Sequence, residues 1–402
     1  MKNLFTTATL RHFSTCLMSA ALLSRTLQST TLLSTALLSA ALLSTPLLAS
    51  AATDCPLRDA PYSLESPLID VMLSERASAV VNRHMNNALS KMPAHFASTT
   101  PPSFSAILNV STVASMAGIE ASVLPQVAEE LAAIEVTEQD RVARCARYDT
   151  TPPQLATPSP LPGDGRKPRL LLFEKINGFK DTPSFNAAHA LLQDMARQQG
   201  WTLVSSDNGA VFNAQQLSQF DAVIWNNVSG DVLTLSQRQA FRDYIEQGGG
   251  FVGIHGSGGD PTYFWDWYAD ELIGARFAGH PADPQYQDAR VVIENTHSGI
   301  GKGLAAEWTM NEEWYSFKTS PRDKGATVIA TLDESSYSPV GHHGIDLRMG
   351  DHPIAWQRCL VQGRSFYSAL GHRPEIYADP NHQRLLLQGI EWAAGQTADA
   401  CP

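Results

Sequence analysis

From residue 169 onward, short continuous apolar runs alternate with stretches whose apolar residues recur at helical spacing. "RLLLFEK" (169–175), "WTLVSS" (201–206), "FDAVIWNN" (220–227) and "GFVGIH" (250–255) read as buried strands. Between them, 184–199 is an amphipathic helix ended by Gly200. A second helix opens on Thr234 with Gln237 at the capping-box position, buries Ala240, Phe241, Tyr244 and Ile245, and stops at Gly248. Later strands are expected at 289–293, 313–318, 326–332, 353–359 and 364–370, with a closing helix over about 380–395. Buried strands alternating with helices predict an α/β fold with a doubly wound, mostly parallel sheet.

Upstream the period changes. Apolar residues recur at three- and four-residue steps through Val71, Met72, Val80, Val81, Met85 and Leu89. Further helices are expected at 104–117, 123–134 and 137–147, the last opening on Thr137 with Asp140 three residues on. Residues 52–149 therefore predict a small all-α N-terminal domain. "TTPPQLATPSPLPGDGRKP" (150–168) has the composition of a stiff linker to the α/β domain over 169–402. Residues 1–51 carry Lys2, Arg11 and Arg25, no acidic residue, and a small-x-small end at Ala49-Ser50-Ala51. That is the pattern of a secretory signal peptide, with Met1 or Met18 as the start. Its serine and threonine content makes it a poor hydrocarbon span.

Export changes how the cysteines are read. Loss of residues 1–51 removes Cys16 and leaves Cys55, Cys145, Cys359 and Cys401, an even number in an oxidising compartment. Four cysteines allow three connectivities; the economical one pairs Cys55 with Cys145 and Cys359 with Cys401, each within one domain. Loss of the three cations also takes the formal charge from −11 to −14. A chain that acidic has no electrostatic footprint for nucleic acid or for anionic lipid. The expectation is a periplasmic or secreted protein with no nucleic-acid partner and no membrane association after cleavage.

Ligands of such sheets sit outside the carboxyl ends of the strands. Polar residues collect there: Glu174 and Lys175, Asn226 and Asn227, His255, and His372 after Gly371. In "GGGFVGIHGSGG" (248–259) a buried run delivers His255 into a glycine-rich turn, where the nucleophile elbow of other folds carries serine or cysteine.

"FEKINGF" (173–179), "NVSGD" (227–231), "GGGFVGIH" (248–255), "GARFAGHP" (274–281), "NEEWYSF" (311–317), "TLDESSY" (331–337), "DHPIAW" (351–356) and "GRSFYSALGH" (363–372) occur in the order of the trehalose-utilisation (ThuA-like) family, which this chain resembles over about 170–396. The resemblance implies a class I glutamine amidotransferase-like (flavodoxin-like) fold. His255 then stands where such an elbow presents cysteine, and "GHRPE" puts His372 and Glu375 where its partners lie. Without that cysteine, glutamine amidotransfer is excluded. Imidazole there suits acid–base work or a divalent metal such as zinc, with His255, His280, Glu313 and His372 as candidate ligands. His255, Glu313 and His372 are the candidate catalytic residues. Lys175, Asn227, Asp231, His280, Trp314, Tyr315 and Glu375 are the candidate substrate contacts, and "YFWDWY" (263–268) adds aromatic faces. In one block the family commonly runs Arg-His-Asp, where this chain has Lys180-Asp181-Thr182.

The expected ligand is a small carbohydrate: trehalose-type or 3-keto glycosides. Two classes of function stay open. One is an exported carbohydrate lyase, hydrolase or isomerase. The other is a non-catalytic module that binds a sugar or a partner in the same pocket.

Overall fold

The apolar runs become the centre of one nine-stranded sheet. The computed structural model describes residues 54–155, 167–297, 299–399 and 401; the expected export signal and most of the proline-rich segment lie outside them. The strands are β1 (Arg169–Phe173), β2 (Thr202–Ser206), β3 (Ala222–Asn226), β4 (Gly250–Ile254), β5 (Phe277–Gly279), β6 (Tyr286–Ile293), β7 (Glu307–Glu313), β8 (Ser316–Phe317), β9 (Thr327–Leu332), β10 (Pro353–Leu360) and β11 (Gly363–Ser368). The large sheet runs β2-β1-β3-β4-β11-β10-β9-β6-β7. Its first five strands are parallel, and from β11 outward the pairs are antiparallel. Every residue of β3 and β4 is buried, which requires cover on both faces and explains their unbroken apolar sequence.

The helices begin and end on the expected signals. Thr234 and Gln237 form a reciprocal capping box on Leu235–Glu246. Asp181 caps Thr182–Gln199, and left-handed Gly200 closes it. Helix Pro380–Ala393 completes the cover of β11 and β4. One strand expectation differs. The run 313–318 is not one strand: β7 ends at Glu313, and β8 leaves the large sheet to pair with β5.

Residues 68–145 form short helices around a core of Leu68, Val71, Val81, Met85, Val110, Val127 and Leu131. They pack against the carboxyl end of the sheet. The amide of Ser103 donates to the Asn177 carbonyl at 3.0 Å, the Tyr148 hydroxyl to Asp231 at 2.9 Å, and Lys175 meets Asp149 at 2.5 Å. Disulfides join Cys55 to Cys145 and Cys359 to Cys401, as expected. Among the described residues no helix is long and apolar enough to cross a membrane. The two disulfides fit an oxidising, extracytoplasmic compartment.

Candidate functional site

β4 ends at Ile254 and the chain turns through His255 with φ +39°, a left-handed conformation that a side chain enters only at a cost. Asn227, just past β3, does the same at φ +53°, and its side-chain oxygen accepts the Gly256 amide at 3.1 Å. These two turns aim His255 beneath the end of β11. There Gly371 has φ +152°, and a Cβ on it would stand 2.6 Å from the Cβ of His255. Only glycine lets the two segments approach this closely.

Three expected residues meet at this point. His372 Nδ1 lies 2.9 Å from Glu313 Oε2 and 3.2 Å from His255 Nε2, and His255 Nε2 lies 3.4 Å from the same carboxylate oxygen. All three side chains are buried. His255 Nδ1 is 2.7 Å from the Ala369 carbonyl, which can only accept, so Nδ1 carries that ring's proton and Nε2 offers a lone pair. One proton on His372 Nδ1 then serves both Glu313 and His255. A divalent cation is the alternative occupant. These donors lie within 4.8 Å of one another, and tetrahedral zinc bonds of ~2.0–2.2 Å require separations of roughly 3.3–3.6 Å, close to those observed. The residues could hold such an ion.

The protonation states follow from burial and partners. Burial disfavours the charged form of His255 and holds its pKa below the ordinary value, against the pull of Glu313. Burial opposes charge on His372 as well, but the hydrogen bond and charge of Glu313 win and raise it. Burial would also raise Glu313; the two histidines against it outweigh this and hold the carboxyl well below its usual range.

The remaining expected residues divide. Tyr315 stacks on His255 with ring centroids 4.2 Å apart, and His280 Nε2 lies 3.5 Å from Glu313 Oε1. Asn227 supports the elbow as described. Trp314 is buried in the core, its indole donating to the Gln287 carbonyl at 2.8 Å. Lys175 and Asp231 are taken up by Asp149, and by Tyr148 and Arg238. Glu375 points outward, 66% exposed beside Arg373. Within "YFWDWY", Tyr268 stacks on Trp225 in the core.

Other residues complete the site without having been singled out. Glu312 is fully buried and accepts the amides of Glu313, His372 and Arg373 at 2.8, 3.1 and 3.2 Å, which fixes the His372 segment. Burial pushes its carboxyl up to about 8 against those donors. Gln285 donates to Glu313 Oε1. Asp260, pushed up by burial to about 7, binds Ser229 and the Gly230 amide. The cluster opens into a cleft of about 280 Å³ whose lining includes Phe104, Phe179, Asp260, His280, Glu313 and His372. Glu312 stood beside Glu313 in the quoted block, but no spacing rule separates two adjacent glutamates. Phe104 lay in a segment whose apolar residues all suited helix packing.

No curated protein matches the chain. Among solved structures, a ThuA-like protein from Bacteroides uniformis is similar over 58% of this chain and 94% of its own, at 24% identity and TM-score 0.50. One from Parabacteroides merdae covers 59% and 94% at 17% identity and TM-score 0.44. A cytoplasmic protein from Salmonella typhimurium covers 56% and 99% at 12% identity and TM-score 0.39. The first of these likenesses concerns the fold alone. The trehalose utilisation (ThuA) family matches residues 169–393, all eleven strands and the elbow that carries His255 included, and the chain belongs to that family.

Proposed function

We propose that the protein is an exported enzyme acting on glycosides oxidised at C3, by acid–base chemistry at His255, Glu313 and His372. Family membership supports a carbohydrate-related role. The observation that carries the mechanism is one buried carboxylate held between two imidazoles on the floor of a cleft. Glu313 orients His372 through Nδ1, and Nε2 of His372 makes no hydrogen bond among the described residues. A ketone at C3 acidifies the proton on C2. His372 Nε2 takes that proton, the C2–H electrons form the C1–C2 double bond, and the C1–O bond breaks toward the aglycone oxygen. His372 then returns the proton to that oxygen. The products are an enone and an alcohol, and no nucleophile is required. His255, kept neutral, accepts from His372 Nδ1 and helps hold the ring.

The ligand-atom separations favour a second reading of the same cluster, in which a divalent cation replaces the His372 Nδ1 proton. Such an ion would supply Lewis-acid polarisation of the sugar carbonyl.

The test is incubation of the purified protein with 3-keto-trehalose, following glucose release and enone absorbance, with metal analysis of the same sample. Acid–base chemistry predicts cleavage that survives chelation and falls on the order of 10²–10⁴-fold in His372→Asn. Cleavage lost on chelation, with stoichiometric metal, selects the second reading. Saturable binding of glycosides without cleavage makes the protein a binding module instead.

A further inference from the structure

The floor and the roof of the cleft differ in chemistry. The floor carries the polar groups, Asp260, His280, Gln285, Glu313 and His372, set among Phe179, Phe277 and Tyr315. The roof comes from the helical layer, outside the residues that match the family, and offers Phe96, Phe104, Ile107, Leu108 and Met116. Its polar side chain, Thr112, already donates its hydroxyl to Asn109 at 2.7 Å. Rings descend from the rim to the cluster in a ladder. Phe96 and Phe104 have centroids 4.6 Å apart, Phe104 and Phe179 4.9 Å, and Phe179 lies 6.1 Å from the His372 ring. The interplanar angles are 36°, 35° and 23°: the phenyl rings tilt against one another, Phe179 stacks on His372, and the row presents aromatic faces to a flat guest.

We infer that this roof is an aglycone subsite and that the substrate is an aryl glycoside rather than a disaccharide. The inference rests on the glycoside reading above and names the leaving group. A second sugar under the roof would bury hydroxyls against groups that cannot bond them, at about 1–3 kcal/mol for each unpaired group. An aromatic aglycone loses no such bonds and stacks on Phe104 and Phe179. The size agrees: about 280 Å³ is at the small end for a ligand pocket, room for one sugar ring on the polar floor and a flat ring above it.

The test compares the affinities of phenyl 3-keto-glucoside, methyl 3-keto-glucoside and 3-keto-trehalose for the full chain by calorimetry. The phenyl glycoside is expected to bind about tenfold more tightly than either of the others. Phe104→Leu keeps the bulk and removes the ring, and is expected to bring the phenyl-to-methyl ratio close to one; Phe96→Leu at the rim should lower it less. If the methyl glycoside binds and the phenyl group adds nothing, the aglycone subsite is refuted while the glycoside reading stands. Tighter binding of 3-keto-trehalose than of the phenyl glycoside refutes it equally. Failure of all three to bind removes both.

Discussion

Glu312 and Glu313 are neighbours on β7, yet their carboxyls are driven in opposite directions. Burial dominates at Glu312 and pushes it up to about 8. At Glu313 the two histidines overcome burial and hold the group down. The signs of the resulting pH effects differ. The folded chain keeps the Glu312 proton above the ordinary value of 4.5, where the unfolded chain releases it, so its contribution is complete below about 4.5 and is lost as pH rises toward 8. Glu312→Gln, whose amide oxygen can still accept the three backbone amides, should flatten this slope. Between pH 5 and 8 the wild type should lose Tm relative to the variant, on the order of 2–4 °C per kcal/mol. A parallel pair of Tm curves would contradict the assignment. Glu313→Gln acts on chemistry instead: His372 loses the partner that raises it, so the limb of the pH–rate profile on which neutral His372 appears should move to lower pH. An unmoved limb would show that His372 is not the titrating base. Residue-scale reading of the sequence chose Glu313, His255 and His372 because motif blocks single them out. It also chose Trp314 and Glu375, whose side chains point elsewhere, since side-chain direction at a strand end depends on the register and turn that follow.

At the scale of elements, legibility follows burial. β1, β3 and β4 are covered on both faces, so their sequences are unbroken apolar runs and were found within about two residues. β7, "EWTMNEE", is an edge strand with Glu307 and Thr309 exposed and two glutamates buried at its end, and its polar sequence hid it. The expected helix 104–117 is interrupted because Asn109 caps a new start at Val110, after a single turn at Phe104–Ala106. The elbow depends on three elements meeting, and Gly371 is the residue on which that meeting turns. Gly371→Ala places a methyl group 2.6 Å from the His255 Cβ and 2.7 Å from the Tyr377 hydroxyl. We expect a loss of stability of roughly 1–3 kcal/mol from strain at this backbone conformation, together with loss of activity. Wild-type Tm and turnover in that variant would mean that the segments can separate without consequence.

For the whole molecule, the cysteines and the change of hydrophobic period were readable, because each is a local count. The roof was not, since it pairs Phe104 with Phe179 across a proline-rich stretch and no periodicity encodes that contact. Peptide mapping without reduction should link Cys55 to Cys145 and Cys359 to Cys401. Replacing Cys359 and Cys401 together by serine should cost on the order of 4 kcal/mol for a loop of 42 residues, read as a fall in denaturation midpoint. An unchanged midpoint would place the bridge outside the folding unit. The central claim is that His255, Glu313 and His372 act as one reactive cluster on a keto-glycoside. Its most direct test is the cleavage rate of His255→Gln beside the wild type, in samples of matched Tm. Because His255 is buried and binds the Ala369 carbonyl, glutamine is a better probe than alanine, which would leave a cavity. The account predicts a clearly lower rate, because His372 loses the acceptor that holds its ring, with bound metal falling in parallel if a cation occupies the cluster. Full rate, unchanged metal content and unchanged glycoside affinity in that variant would contradict it.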